Sequence, residues 1–411
     1  MIRAVKGMRD LLPPETALWS QVEAVAREIF RTYGYGEIRT PLVEETELFA
    51  RGVGAETDIV SKEMYTFGDR DGGSLTLRPE ATASVVRAYL EHGLAHRPGL
   101  TKLYYIGPMF RRERPQKGRY RQFSQIGAEA IGSEHPTVDA EMLEMLCTFL
   151  DRAGLRDYRL LLNSLGDANC RPAYLQALRE ALDGVKDKMC GDCQRRVVTN
   201  PLRVLDCKVP ADQPIIESLP RISEHLCAPC SEHFERVRQY LEKRSIPFTL
   251  VPRMVRGLDY YTRTTFEFVH GSLGAQNSVL GGGRYDGLAE TLGGARAPGI
   301  GFSIGEDRLI YLLGEPQAVR LDLFVVWLDE ASYTPAVELA RQLRGAGLAV
   351  DMPPELRKIG KLIEQASKIG ARYVLIVGEK ERTSGRYGLK NLDTGEQKEL
   401  ARDELLAAIK L

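Results

Sequence analysis

From Phe110 to Gly132 the chain reads FRRERPQKGRYRQFSQIGAEAIG. Between Arg111 and Arg121 it holds six basic residues (Arg111, Arg112, Arg114, Lys117, Arg119, Arg121) against one acid, Glu113, and such a local excess asks for an anionic partner. The apolar run Leu103 to Ile106 precedes it, Phe123 to Ile131 alternates as a strand would, and Arg114-Pro115-Gln116-Lys117-Gly118 carries the proline and glycine that punctuate a loop. The expected local structure is strand, basic loop, strand, with arginines that begin within the strand itself. A guanidinium held in a sheet is costly to desolvate without an anion. The hairpin is therefore expected to frame a phosphate site rather than a solvated tip.

The rest of the chain must build around that hairpin. Its 411 residues allow two or three domains and a sizeable core. Basic and acidic residues balance at 56 each, so any nucleic-acid contact has to come from local patches. No apolar run reaches the length of a membrane span and the start, MIRAVKGMRDLLPPE, has no apolar signal core, which predicts a soluble cytoplasmic protein with no membrane partner. The seven cysteines, five of them between Cys190 and Cys230, suit reduced thiols better than a disulfide scaffold.

In chain order, Leu18, Val22, Val25, Ile29 and Tyr33 recur at helical spacing. Glu37 to Glu44 reads as a strand interrupted by Pro41, which demotes it to an edge or a bend. Residues 74 to 90, SLTLRPEATASVVRAYL, read as a strand entering a helix through Arg78-Pro79-Glu80. There Glu80 is either an acid favoured by the helix N-terminus or, with Thr82, an acceptor for an ammonium group. Pro136 to Gly154 is a core helix, Tyr158 to Asn163 a strand and Ala173 to Leu182 a helix, within a loop-rich insertion at about 168–245. Ile246 to Pro252, Thr264 to His270 and Asn277 to Leu288 alternate strand and turn signals, predicting an antiparallel sheet; residues 297–313 feed a strand into a helix. Beyond a linker at Glu315 and Pro316, alternating strands and helices over 321–411 indicate a separate α/β domain.

FRRERPQKGRYRQF resembles motif 2 of the class II aminoacyl-tRNA synthetases, in the form typical of the histidyl members, and the resemblance spans nearly the whole chain. The segment around Pro41 resembles motif 1, whose proline lies at a dimer interface, and GIGFSIGEDRL resembles motif 3, with Asp307 where the family usually has Glu. RGLDYY, Arg256 to Tyr261, resembles a motif special to the histidyl members, and RPEAT resembles a further one from which it departs in Ala81 for Gly. The resemblance implies an α+β fold: a catalytic domain at 1–320 with an antiparallel sheet flanked by helices, and an α/β anticodon-binding domain at 321–411. It implies a homodimer that joins histidine to tRNA(His) using ATP and Mg2+. Arg111 and Arg256 would be the catalytic pair, both stabilising charge on the α-phosphate, a task that suits arginine because it is always charged and bidentate. Glu113 and Phe123 would frame the adenine, Arg119 and Arg308 would reach the distal phosphates, and Gln116 would meet the tRNA acceptor end. Glu129, Tyr260, Tyr261 and Tyr285 would surround the imidazole, with Glu80, Ala81, Thr82 and Gln125 at the ammonium. Gly281, Gly282 and Gly283 would allow close backbone approach.

The knuckles Cys190-x2-Cys193 and Cys227-x2-Cys230 suggest a single structural zinc on four thiolates; Cys147 and Cys170 read as ordinary buried cysteines. Two readings compete with the ligase. One is the regulatory subunit of ATP phosphoribosyltransferase, which is similar to this catalytic domain but typically lacks the anticodon domain and erodes the motifs. The other is a tRNA-sensing module that binds without ligating.

Overall fold

The computed structural model describes residues 2–55, 57–115, 118–315 and 320–410. The expected site residue Gln116 lies outside them. The chain divides into two compact units, residues 1–316 and 317–411.

The first unit is organised on an eight-stranded sheet. Its order is Gly36–Glu37, Thr101–Phe110, Gln122–Ile131, Gly299–Gly305, Ser278–Arg284, Thr262–His270, Tyr158–Ser164 and Thr249–Leu250. All inner pairings are antiparallel, while both two-residue edge strands pair in parallel. The sheet is thus mixed at its margins. The expected strand through Pro41 is split: Gly36–Glu37 joins the large sheet, and Val43–Glu45 joins a separate three-stranded sheet. Proline lacks the N–H that would continue a ladder, and the chain changes sheets there.

Period-two alternation sorts the strand residues between two layers. Ile126, Ala128, Ala130, Ile300, Phe302, Ile304, Phe266 and Phe268 face a core completed by the helices Glu15–Thr32, Pro136–Ala153 and Glu306–Leu313. Their alternates, Gln125, Glu129, Glu267, Ser303 and the glycines between them, face the opposite side. There the helix Thr82–Glu91 packs through Val85, Val86 and Tyr89 against Tyr105, Met109 and Tyr285.

One charged group crosses into the helix layer. Arg284 is wholly buried, and Asp139 of the helix Pro136–Ala153 takes its Nη2 at 2.9 Å and its Nε at 3.0 Å. Asp286 takes Nη1 at 2.7 Å and the Ser133 carbonyl also accepts from Nη2 at 3.0 Å. A desolvated guanidinium persists only when its donors are paired in this way.

Residues 165–227 contain no strand; they form short helices around a small core of Tyr174, Leu178, Leu182, Val197, Val204 and Ile216. The helix that follows, Ala228–Lys243, buries Val237 and Leu241 in the main core. The second unit is a five-stranded mixed sheet, with Leu323–Trp327 parallel to both Val350–Asp351 and Tyr373–Val377, then a hairpin of Arg386–Asn391 and Gln397–Ala401. The helices Glu330–Gly345 and Ile359–Lys368 supply Leu339, Leu343 and Leu362 to its two apolar clusters.

Candidate active site

The hairpin strands Thr101–Phe110 and Gln122–Ile131 are each ten residues long. Arg111 falls one residue past the first strand, where its backbone N–H still pairs with the Arg121 carbonyl at 2.9 Å. The arginines therefore begin at the mouth of the hairpin rather than inside the strand. The sheet face beneath them opens into a cavity of about 290 Å³, lined among others by Arg111, Glu113, Arg119, Phe123, Gln125, Arg256, Tyr261 and Arg308. Residues nearly 200 positions apart in sequence thus share one space.

At one end of the cavity the charges are positive. Arg111 donates from Nε to the Pro79 carbonyl at 2.9 Å, and its guanidinium lies 5.4 Å from the Phe123 ring centroid. Arg119 pairs with Glu113 at 3.0 Å, and Arg308 donates to the Ser278 carbonyl at 2.7 Å. Burial, and after it the charge of Arg119, hold the Arg308 pKa below its ordinary value. Two guanidiniums near enough to repel each other make a place where an anion is welcome. Arg256 hydrogen-bonds Glu267; burial is the largest single influence and lowers its pKa, but Glu267 together with Tyr261 and Tyr260 outweighs it, so the arginine's pKa is raised. Its Nε has no hydrogen-bond partner.

On the same sheet face, but outside the residues that line the cavity, Glu129 is fully buried. Its Oε2 accepts from the Tyr285 hydroxyl at 2.6 Å, and its Oε1 from Thr82 Oγ1 at 2.8 Å and more distantly from Tyr105 at 3.5 Å. Burial pushes its pKa up to about 8, against the pull of those hydroxyls. Tyr260 packs against Tyr261 at a tilt and Tyr285 edge-on, with ring centroids 4.8 and 5.9 Å away. Gln125 reaches Ser303 at 3.5 Å and leaves its Oε1 buried without a partner.

Glycines make the crowding feasible. A Cβ on Gly301, which pairs with Glu129 across the strands, would fall 1.6 Å from the Glu129 carboxylate, and one on Gly281 would fall 2.3 Å from the Arg256 guanidinium. Gly283 likewise makes room for Tyr261, whereas Gly282 faces the core, where Phe266 and Phe302 would meet a Cβ. Of Gly281, Gly282 and Gly283, the first lines the cavity.

Residues 7–309 match the family model described as histidyl-tRNA synthetase, and residues 322–410 match the anticodon binding domain. The chain belongs to the histidyl-tRNA synthetase family. It is 64% identical over 411 residues to the histidine–tRNA ligase of Solibacter usitatus, covering all of this chain and 99% of that protein. To the histidine–tRNA ligase of Koribacter versatilis it is 58% identical, covering 98% and 95%. The apo histidyl-tRNA synthetase of S. aureus superposes with a TM-score of 0.83 at 38% identity, each chain covered completely.

Several site residues show roles the family motifs do not announce. Glu80 accepts backbone N–H groups from Thr82 at 2.8 Å and Ala83 at 2.9 Å, so it caps the helix Thr82–Glu91, and burial raises its pKa. Ala81, fully buried, packs beneath it in the apolar cluster of that helix. Asp307 accepts from Arg9 and from the Ser124 backbone, both at 3.2 Å, tying the N-terminal segment to the hairpin. Glu267 was not anticipated: a lone acid in an alternating strand reads as a solvent-facing position. Tyr105 was hidden for the converse reason, an aromatic in an apolar run. Their only sequence signal is register, since each falls on the same sheet face as Glu129.

The four cysteines expected to share one metal do not converge. Cys227 and Cys230 gather with Asp167 and Cys170, while Cys190 and Cys193 gather with Cys207 and Asp212. Each knuckle opens its own helix, Gly191–Thr199 or Ala228–Lys243, and the two helices begin in different places. Cys170, read as a packing residue, belongs to the first cluster. Cys147 stands apart, its thiol pushed up to about 11 by burial.

Proposed function

We propose that this chain is a histidine–tRNA ligase whose cavity binds the triphosphate at its arginine end and histidine at its Glu129 end. The observation that carries the reading is the juxtaposition, on one sheet face, of four guanidiniums with a sealed carboxylate ringed by hydroxyls. ATP enters as its Mg2+ complex, and Glu267 beside Arg256 offers the hard oxygen donor such an ion takes. Arg119 and Arg308 hold the distal phosphates; Phe123 and Glu113 flank the adenine. Glu129 and the tyrosines 260, 261 and 285 select the imidazole, whose two nitrogens can meet both acceptors and hydroxyls. The ammonium group lies toward Thr82 and Gln125, whose buried Oε1 lacks a donor.

The histidine carboxylate oxygen attacks the α-phosphorus, the bond to the bridging oxygen breaks, and pyrophosphate leaves. Charge grows on the α-phosphoryl oxygens, where Arg111 and Arg256 stabilise it. The 3′-terminal hydroxyl of tRNA then attacks the histidyl carbonyl and releases AMP. No protein nucleophile is required. The second unit reads the anticodon, and a homodimer forms through the face near Pro41, where Leu42, Val43 and Phe67 are exposed. The presence of a second unit matched by the anticodon-binding model, together with intact Arg111, Arg256 and Arg308, argues against a silent regulatory subunit.

Histidine-dependent exchange between ATP and pyrophosphate is the test. Exchange with histidine alone among the amino acids, followed by charging of tRNA(His), is the expected result; histidine binding without exchange would leave the regulatory reading standing.

A further inference from the structure

We propose that this protein carries two structural zinc ions, each held by three thiolates and one aspartate. The first site is Asp167, Cys170, Cys227 and Cys230; the second is Cys190, Cys193, Cys207 and Asp212. Within each group the four candidate ligand atoms lie within 4.8 Å of one another. Sulfurs at about 2.3 Å from a tetrahedral zinc stand roughly 3.8 Å apart, and Cys190 and Cys207 have their sulfurs 3.9 Å apart. The carboxylate edges are comparable, with Asp212 at 3.3 Å from Cys207 Sγ and Asp167 at 3.4 Å from Cys170 Sγ.

The chemistry of the donor sets narrows the occupant. Three sulfurs per cluster cannot all be satisfied by disulfides, because one pairing always leaves a thiol over. Three soft thiolates disfavour magnesium and calcium, and a closed four-ligand set of this spacing suits a single zinc. The outer contacts also fit. The Cys227 N–H points at Cys170 Sγ at 3.1 Å and the Val209 N–H at Cys207 Sγ at 3.4 Å, as amides do toward thiolates. Each aspartate is itself oriented by backbone donors: Asn169 N–H reaches Asp167 at 2.9 Å and Cys190 N–H reaches Asp212 at 3.1 Å.

The two sites do different mechanical work. The second lies wholly inside the strandless segment, where helices as short as Gln213–Glu217 surround a small core that a metal would staple. The first joins the segment's ends. Asp167 and Cys170 follow the sheet strand Tyr158–Ser164, and Cys227 and Cys230 open the helix whose Val237 and Leu241 enter the main core. Next to Cys170, Arg171 hydrogen-bonds the Tyr261 carbonyl. The first ion therefore acts on the histidine end of the cavity as a positioning element.

Metal analysis of the full-length protein purified without chelator is expected to give two zinc ions per chain. Cys230→Ser and Cys193→Ser should each retain one, whereas a single shared site would fall to none in either variant. Should a variant fail to fold, the wild-type apoprotein titrated with Co2+ decides: thiolate-to-cobalt absorption should rise linearly to two equivalents, with protons released as thiols ionise. One zinc or none in the wild type, iron in its place, or cobalt saturation at one equivalent would overturn the proposal. A second readout separates the sites and rests on the ligase reading: Cys230→Ser should raise the histidine KM about tenfold, and Cys193→Ser should leave it unchanged. The metal counts stand or fall independently of that arm.

Discussion

At the arginine end of the cavity every guanidinium already has a protein oxygen: Arg111 the Pro79 carbonyl, Arg119 Glu113, Arg256 Glu267 and Arg308 the Ser278 carbonyl. Outside the cavity lining, on the same sheet face, a single carboxylate is closed over by Tyr285, Thr82 and Tyr105. Under the proposed function the first arrangement is provisional, because a triphosphate would have to replace these protein partners. The second is finished before any ligand arrives. Interactions that form only as charge develops act on rate, whereas a preformed pocket acts on affinity and on the stability of the empty protein.

Arg256→Ala breaks the comparison most severely if it is right. We expect adenylate formation to slow about 10²- to 10³-fold with substrate affinities nearly unchanged, and Arg256→Lys to recover only part, since lysine keeps the charge and loses the fork. Pre-steady-state adenylate formation measures this, and a near-normal alanine variant would remove Arg256 from the mechanism. Glu129→Gln should do the reverse. It should weaken histidine by roughly 1 to 3 kcal/mol and leave the ATP KM unaltered in the exchange assay; an unchanged histidine KM would count against the pocket.

The glycines sharpen the contrast. Gly281→Ala crowds the Arg256 guanidinium and Gly301→Ala crowds the Glu129 carboxylate, so the former should cost about tenfold in rate and the latter about tenfold in histidine KM. Identical kinetic signatures for the two would erase the distinction between the ends. A further effect is on stability. Because the Glu129 pKa is raised from 4.5 to about 8, the folded state keeps a proton that the unfolded chain releases. Its contribution is complete below about pH 4.5 and is lost as pH rises through about 8. Relative to Glu129→Gln, the apoprotein should therefore lose up to about 1.4 kcal/mol per pH unit across that window. Parallel unfolding curves for the two proteins would show that Glu129 does not hold the extra proton.

The same contrast explains what could be read in advance. Arg111 and Arg119 stood out as clustered charge beside strand patterning, whereas Arg256 and Arg308 were marked only by the resemblance of RGLDYY and GIGFSIGEDRL to family motifs; the antiparallel sheet followed from the strand and turn signals of residues 264–270 and 277–288. Glu267 was invisible because its meaning depends on which strand lies beside it, and Gly281 opposite it is set by register. Thr82 and Glu129 are 47 residues apart, so their hydrogen bond belongs to tertiary structure alone. The cysteines misled for a related reason. Two CxxC knuckles look like one tetrahedron until Cys170, Cys207 and the aspartates 167 and 212, which carry no local signature, are brought in by the fold.

Arg284 and Tyr285 are consecutive residues on opposite faces of one strand end, the first locked to Asp139 in the helix layer and the second bonded to Glu129. A random mutagenesis screen scored only for histidine selectivity should therefore return position 139, on a helix that lines no part of the cavity. Loss of Asp139 would leave the buried guanidinium to Asp286 and the Ser133 carbonyl, with its Nε unpaired, at a cost of up to about 3 to 5 kcal/mol. Revertants would then arise at position 284 rather than in the pocket, as paired apolar replacements that refill the space both side chains had occupied.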